Sequence, residues 1–227
     1  QHLVQQLLNR EQEVIAIVRS PEKLPEAWKN NPLLTIIKAS ISEISEDEMA
    51  DYAKECDAVA CCLGHNLTFK GIYGKPGKLV TDAVRLVCNA MKKHHPQKSI
   101  KFVLMNTAGN RNRDLNEHIS FGHKLVMGLV RLLLPPQPDN EKAADYLRTQ
   151  IGQQDPSIQW VVVRPDTLLN NEQVSKYELH ASPTRSAVFN PGKTSRINVG
   201  HFMATLLTND EVWSKWKGQM PVIYDMD

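Results

Sequence analysis

No stretch of this 227-residue chain reaches the roughly 18 consecutive apolar residues needed to cross a bilayer. Its first ten residues, QHLVQQLLNR, are amphipathic and lack the apolar centre of a secretory leader. A soluble, cytoplasmic protein with no membrane partner is therefore expected. An excess of one charge is also missing, since 27 Lys and Arg face 25 Asp and Glu. That balance gives no electrostatic reason to expect nucleic acid. Cysteine is scarce, and Cys56, Cys61, Cys62 and Cys88 form no paired CxxC set with histidines, so no metal is expected. Cys61 and Cys62 lie in an apolar run and read as small buried hydrophobes rather than redox thiols. Repeats, low-complexity tracts and dividing linkers are absent, so a single domain over residues 1–227 is expected.

What the chain does contain is an alternation of helical periodicity with short β-rich runs, the pattern of βαβ units on a parallel sheet. Leu3, Val4, Leu7 and Leu8 predict a helix over residues 2–9, and VIAIV at 14–18 a strand buried on both faces. Strands follow at 33–37, at 58–63 ending on Gly64, at 102–105 and at 160–163. Helices are expected at 46–54, 78–93, 121–134, 140–151 and 199–207, and a last strand at 222–224. Pro135 and Pro136 close the helix before them. Residues 173–193 carry Pro183, Pro191 and Gly192 without a clear period and read as loops and short strands. The fold class is α/β, a doubly wound parallel sheet of Rossmann-like type, with residues 166–227 as a small cap on the same domain. In such sheets ligands bind outside the carboxyl ends of the strands, so the turns after 18, 63, 105 and 163 are where a site should be sought.

The ordered set strand-Arg19-Ser20-Pro21, strand-Cys62-Leu63-Gly64-His65, strand-Asn106-Thr107-Ala108-Gly109, a helix with Lys142, and Val163-Arg164-Pro165-Asp166-Thr167-Leu168 resembles the atypical short-chain dehydrogenase/reductases. That group includes NmrA-like proteins and NAD(P)H-dependent flavin or biliverdin reductase-like enzymes. The similarity runs from Leu3 to Tyr224 and includes the 195–199 stretch SRINV. It implies an NADP(H)-dependent oxidoreductase that passes hydride to a flavin, quinone or carbonyl. The alternative within the resemblance is a non-catalytic NADP-binding redox sensor. A small-molecule substrate and a monomer or homodimer are expected. One piece of the pattern does not occur in these residues: the first strand with its Gly-rich turn, where the backbone approaches the pyrophosphate.

By the resemblance, Arg19 at a strand end clamps the adenosine 2′-phosphate through its fork of donors, which favours NADP over NAD, and Ser20 adds a hydroxyl. Ser40 stands where many relatives carry Asp, which weakens the adenine contact. Leu63, Gly64 and His65 flank the ribose and nicotinamide, with Gly64 permitting close backbone approach. His65 could titrate near neutrality, although a turn histidine is more often solvated. Asn106 and Thr107 hold the place of the usual hydroxyl facing a substrate carbonyl, where Thr107 either donates to developing negative charge or bonds its own turn. Lys142 matches the lysine of Tyr-x-x-x-Lys, but Pro138 stands four residues before it and Tyr146 a turn after. Tyrosine-driven carbonyl reduction is thereby in doubt, and direct hydride transfer to a flavin or quinone is favoured. Thr107 and Lys142 are the catalytic candidates. Pro165, Thr167 and Leu168 are expected to hold the carboxamide, with Asp166 replacing the family's glycine and tolerating φ > 0 if the turn demands it. The pairs His94-His95 and Arg111/Arg113 read as solvated loops, and Trp213 and Trp216 as a core or lid face.

Overall fold

The structure, a computed structural model, describes residues 1–66, 68–93 and 99–226. In chain order, α1 (His2–Leu8) leads into β1 (Val14–Val18), β2 (Leu34–Lys38), α2 (Glu46–Ala53) and β3 (Ala58–Cys61). A short helix absent from the sequence reading, α3 (Phe69–Tyr73), precedes α4 (Leu79–Lys93) and β4 (Ile100–Met105). Then come α5 (Phe121–Leu133), α6 (Pro136–Tyr146), β5 (Ile158–Pro165), β6 (Thr167–Leu169), β7 (Tyr177–His180), β8 (Lys193–Ser195), α7 (Arg196–Thr208), α8 (Asp210–Trp216) and β9 (Val222–Asp225).

Strand alternation explains how two layers of helices cover one sheet. In β4 and β5, Phe102, Leu104, Trp160 and Val162 point into a core shared with α2, α4 and α6. Their neighbours Val103, Val161 and Val163 point the other way, into a core shared with α7 and α8. Successive side chains of a strand face opposite sides, so a continuous apolar run is what a strand covered on both faces requires. The Rossmann-like, doubly wound α/β fold is thus present. α4 earns its place by spacing, with Val80, Val84, Val87, Cys88 and Met91 buried along one side. α2 starts on a capping box in which Ser45 and Glu48 satisfy each other's backbone amides.

The pairing has two parts. β1 and β2 pair in parallel as a two-stranded sheet, while a five-stranded sheet runs β3-β4-β5-β9-β7, parallel except for antiparallel β7 on its edge. β6 and β8 form a small parallel pair beyond β5. Among the described residues no strand lies against the second edge of β1 or of β3.

Several boundaries depart from the sequence reading. β3 stops at Cys61, so Cys61 is buried while Cys62, past the ladder, is exposed. α6 begins at Pro136 rather than 140, because prolines in a first turn lack only amides that have no helical partner anyway. α6 is followed by a wide π-type turn over Leu147–Ile151. α5 keeps an exposed apolar side at Phe121, Leu125, Leu129 and Leu132. Trp213 and Trp216 are buried core residues. His94 and His95 lie outside the described residues. No helix among the described residues is long and apolar enough to cross a membrane.

Candidate functional site at the carboxyl edge of the sheet

β3, β4 and β5 are parallel and in register, with Cys61 opposite Leu104 and Met105 opposite Val163. Their carboxyl ends therefore emerge on one side. Hydrogen bonds tie the turns together there. The Ala108 amide donates to the Pro165 carbonyl at 2.8 Å, and Asn106 Nδ2 donates to the Asn140 carbonyl of α6 at 2.9 Å. The turn after β3 reaches the same helix, since His65 Nε2 lies 2.7 Å from Asp139 Oδ2. The structure thus brings together Leu63, Gly64, His65, Asn106, Thr107, Pro165 and α6. Arg19 and Ser20 sit at the end of β1, in the separate two-stranded sheet, whose Ile17 packs against the same core as Leu63.

The individual side chains are placed as follows. Arg19 is exposed, with no acceptor among the described residues, and Ser20 is half-buried with no side-chain cap bond. In front of Gly64 no atom lies within 4 Å of where a Cβ would stand, so the backbone faces open space. Asn106 is 8% exposed, and its Oδ1 accepts from the Thr107 amide at 2.9 Å. Thr107 Oγ1 accepts from the Gly109 amide at 3.2 Å, the local turn bond, a role that leaves its hydroxyl able to donate elsewhere. Lys142 is exposed on α6. Pro165 is buried as the last residue of β5, Thr167 is exposed and Leu168 packs against the α7 core. The turn does not demand a positive φ at Asp166, whose Oδ2 accepts from the Gly192 amide at 2.9 Å. Burial pushes the Asp166 carboxyl above its ordinary value, against the amides of Gly192 and Thr167. Tyr146 is turned away, packed against the α4 core under the Arg85 guanidinium.

Two buried polar groups hold this edge in place, and the sequence reading had assigned neither. Asp139 is 2% exposed; its carboxylate accepts from the Val80 and Thr81 amides at 2.8 and 3.0 Å, capping α4 from another helix. Burial alone would raise the Asp139 carboxyl, but bonds from Thr81, His65 and the two amides outweigh it and hold the group below its ordinary value. The His65 side chain, read as a cofactor neighbour or a solvated turn residue, is buried, with Nδ1 3.2 Å from the Gly71 carbonyl. The second group is Arg164, fully buried, whose guanidinium bonds Glu117 at 2.8 and 3.2 Å. The expected solvated loop at 111–113 is also corrected: Asn112 is buried, its amide donating to Glu117 Oε2 at 2.8 Å, and Arg111 is half-buried. Such partners lie too far apart in sequence for spacing to reveal; only a charged residue inside the apolar run VVVRP hinted at Arg164.

Similarity to other proteins agrees with this fold. The NAD(P)H-binding family matches residues 1–210. No curated protein matches the chain. Among solved structures, an oxidoreductase of Lactococcus lactis, ylbE, superposes with a TM-score of 0.67 at 16% identity over 100% of this chain and 85% of that one. A short-chain dehydrogenase/reductase of Veillonella parvula, solved in complex with NADP, gives 0.67 at 14% identity over 98% and 88%. A Streptococcus pneumoniae protein with a suggested NADH-flavin reductase activity gives 0.63 at 16% identity over 99% and 93%. At these identities the likeness is one of fold.

Proposed function

We propose, for a chain that belongs to the NAD(P)H-binding family, an NADP(H)-dependent oxidoreductase that reduces a flavin, a quinone or an activated carbonyl. The observation that carries this reading is the joining of the β3, β4 and β5 turns along α6, with open space before Gly64 and an unpaired guanidinium at Arg19. These residues suit the two ends of the cofactor. The fork of Arg19 and the Ser20 hydroxyl match a 2′-phosphate, and the bare backbone at Gly64 admits a close neighbour. The first glycine of the sequence is Gly64, so a glycine turn for the pyrophosphate is not among these residues.

When bound, the cofactor supplies a hydride. Lys142 would hold its ribose, and the 165–168 segment, tied to the β4 turn through the Ala108–Pro165 bond, would hold the carboxamide. Asn106, fixed by Asn140, orients Thr107, whose hydroxyl donates a hydrogen bond to negative charge developing on the acceptor. Pro138 occupies the place of a tyrosine acid. The one proton that balances the hydride then comes from solvent, which suits flavins and quinones better than unactivated carbonyls. Residues 166–227 form the substrate side of the same domain, a reading supported by the β6–β8 pair beside Pro165. The same proline also favours a second reading, a redox sensor that binds NADP without turnover.

The test is titration of the full chain with NADPH and NADH, followed by absorbance loss with flavin, quinone and small aldehydes. Turnover supports the enzyme; tight binding without turnover supports the sensor; no binding overturns both. Arg19→Glu should lower the NADPH-over-NADH preference by about tenfold or more, the scale of a lost charge-assisted contact. A variant that keeps the preference removes Arg19 from the phosphate site.

A further inference from the structure

Between the loop after β4 and the helices α5 and α6 lies a cleft of about 460 Å³, lined by Arg111, Arg113, Ile119, Lys124, Arg131 and Glu141. Four of these side chains are cationic and one is a carboxylate. Glu141 is already committed: both its oxygens accept from Arg131 Nε at 2.9 Å, and Gln137 Nε2 donates to Oε1 at 2.9 Å. That geometry uses only one corner of the Arg131 guanidinium, and no hydrogen bond among the described residues engages its terminal nitrogens. Arg113 stands at the rim with Asp145 at 3.1 Å. Lys124 is exposed with no acceptor. Arg111 Nε is buried without a hydrogen-bond partner, a costly state for a charged donor unless something supplies an acceptor.

The cleft is built rather than incidental. Its loop is anchored by Arg164, which donates to the Asn110 carbonyl at 2.8 Å and to Glu117, and by the Asn112 amide on Glu117. It also adjoins the proposed reaction site. The Asn110 amide donates to the Thr107 carbonyl at 3.0 Å, so Arg111 follows directly on the Thr107 turn. Gln137 spans from Glu141 to the Gly109 carbonyl at 3.5 Å. Guanidinium forks match planar or tetrahedral oxyanions, and Ile119 offers an apolar wall to an organic body. A few convergent polar groups in a space of this size suit a small molecule.

We infer that this cleft receives the oxyanion, phosphate or carboxylate, of the small molecule that accepts the hydride. The inference rests on the oxidoreductase reading above and narrows its substrate to anionic acceptors. It is tested on the full chain with two probes. Calorimetry follows binding of inorganic phosphate and of malonate at low ionic strength, which distinguishes the two oxyanions. Turnover with NADPH compares 1,2-naphthoquinone with its 4-sulfonate. Arg111→Gln and Lys124→Gln, at groups with no internal partner, should keep the melting temperature. Each should weaken anion binding about tenfold, the scale of one charge-assisted hydrogen bond, and lower the sulfonate-over-neutral ratio of kcat/KM to a similar extent. Turnover of both quinones with no anion binding, or with a ratio the variants leave unchanged, overturns the inference and leaves the oxidoreductase standing. Anion binding that depends on Arg111 and Lys124 without any NADPH oxidation removes the oxidoreductase, and with it the acceptor role of the cleft.

Discussion

Arg164 is fully buried, and all five of its N–H groups have acceptors: the carbonyls of Met220, Asn110 and Ala181 and both oxygens of Glu117. One side chain thereby joins β5, the loop after β4, and the segments before β9 and after β7. Arg164→Met removes the cation but leaves the Glu117 carboxylate buried at 4% exposure. Breaking a buried pair in this way costs about 3–5 kcal/mol, and thermal or urea unfolding should show it. Arg164→Met with Glu117→Gln should be less destabilised than Arg164→Met alone, because the stranded charge is gone while an acceptor for Asn112 remains. Equal destabilisation of the two would mean that the carbonyl contacts, not the ion pair, carry the stability. At this scale the sequence was least legible. Glu117 lies 47 residues from Arg164, and nothing in local spacing distinguishes a buried glutamate from a solvated one. Thr107 is the opposite case: its turn bond to Gly109 is local, within two residues, and so was one of the two readings the sequence offered.

At the scale of elements, pattern succeeded where both faces of a segment are buried and failed where chain ends are set by distant partners. β4 and β5 announce themselves as apolar runs because each is covered on both sides. The start of α6 was hidden by Pro135 and Pro136, which read as closing the helix before them although a first turn tolerates proline. The start of α4 was read to within one residue, but not its cap, which is Asp139, a residue of α6. Helix amides in the first turn need an acceptor, and here a different helix provides it, with His65 closing the other side of the carboxylate. Asp139→Asn replaces one acceptor by a donor facing His65 or an amide, and should cost about 2–3 kcal/mol at neutral pH. The sign of the pH dependence follows from the depressed Asp139 carboxyl. A carboxyl lowered by folding contributes stability that is fully present above its unfolded value, about 4, and is lost as pH falls through the folded one. The melting temperature of the wild type should therefore fall in acid below about pH 4 more steeply than that of Asp139→Asn. Parallel acid limbs would remove Asp139 from the account.

For the molecule as a whole, the sheet is held between two helical layers, and α1 belongs to the layer of α7 rather than standing alone. The contact is a close one. A Cβ on Gly200 of α7 would come within 2.8 Å of both the Leu3 amide nitrogen and the His2 Cβ of α1. Two opposing effects act on Gly200→Ala. Alanine gains about 1 kcal/mol of intrinsic preference in a helix interior. Against that, the new methyl meets backbone, which cannot rotate away, and crowding of a packed contact costs about 1–3 kcal/mol. The larger cost should win. The melting temperature is expected to fall by a few degrees, at about 2–4 °C per kcal/mol for a chain of this length, and amide exchange should quicken across α1 before the strands. A variant that melts higher than the wild type would show that α1 yields without loss and does not fix the layer against which β1 is placed. The outcome bears on the proposed cofactor site, because α1 packs on β1 as well as on α7, and β1 ends at Arg19. A loosened α1 should therefore also weaken NADPH binding in Gly200→Ala, with no charged group removed.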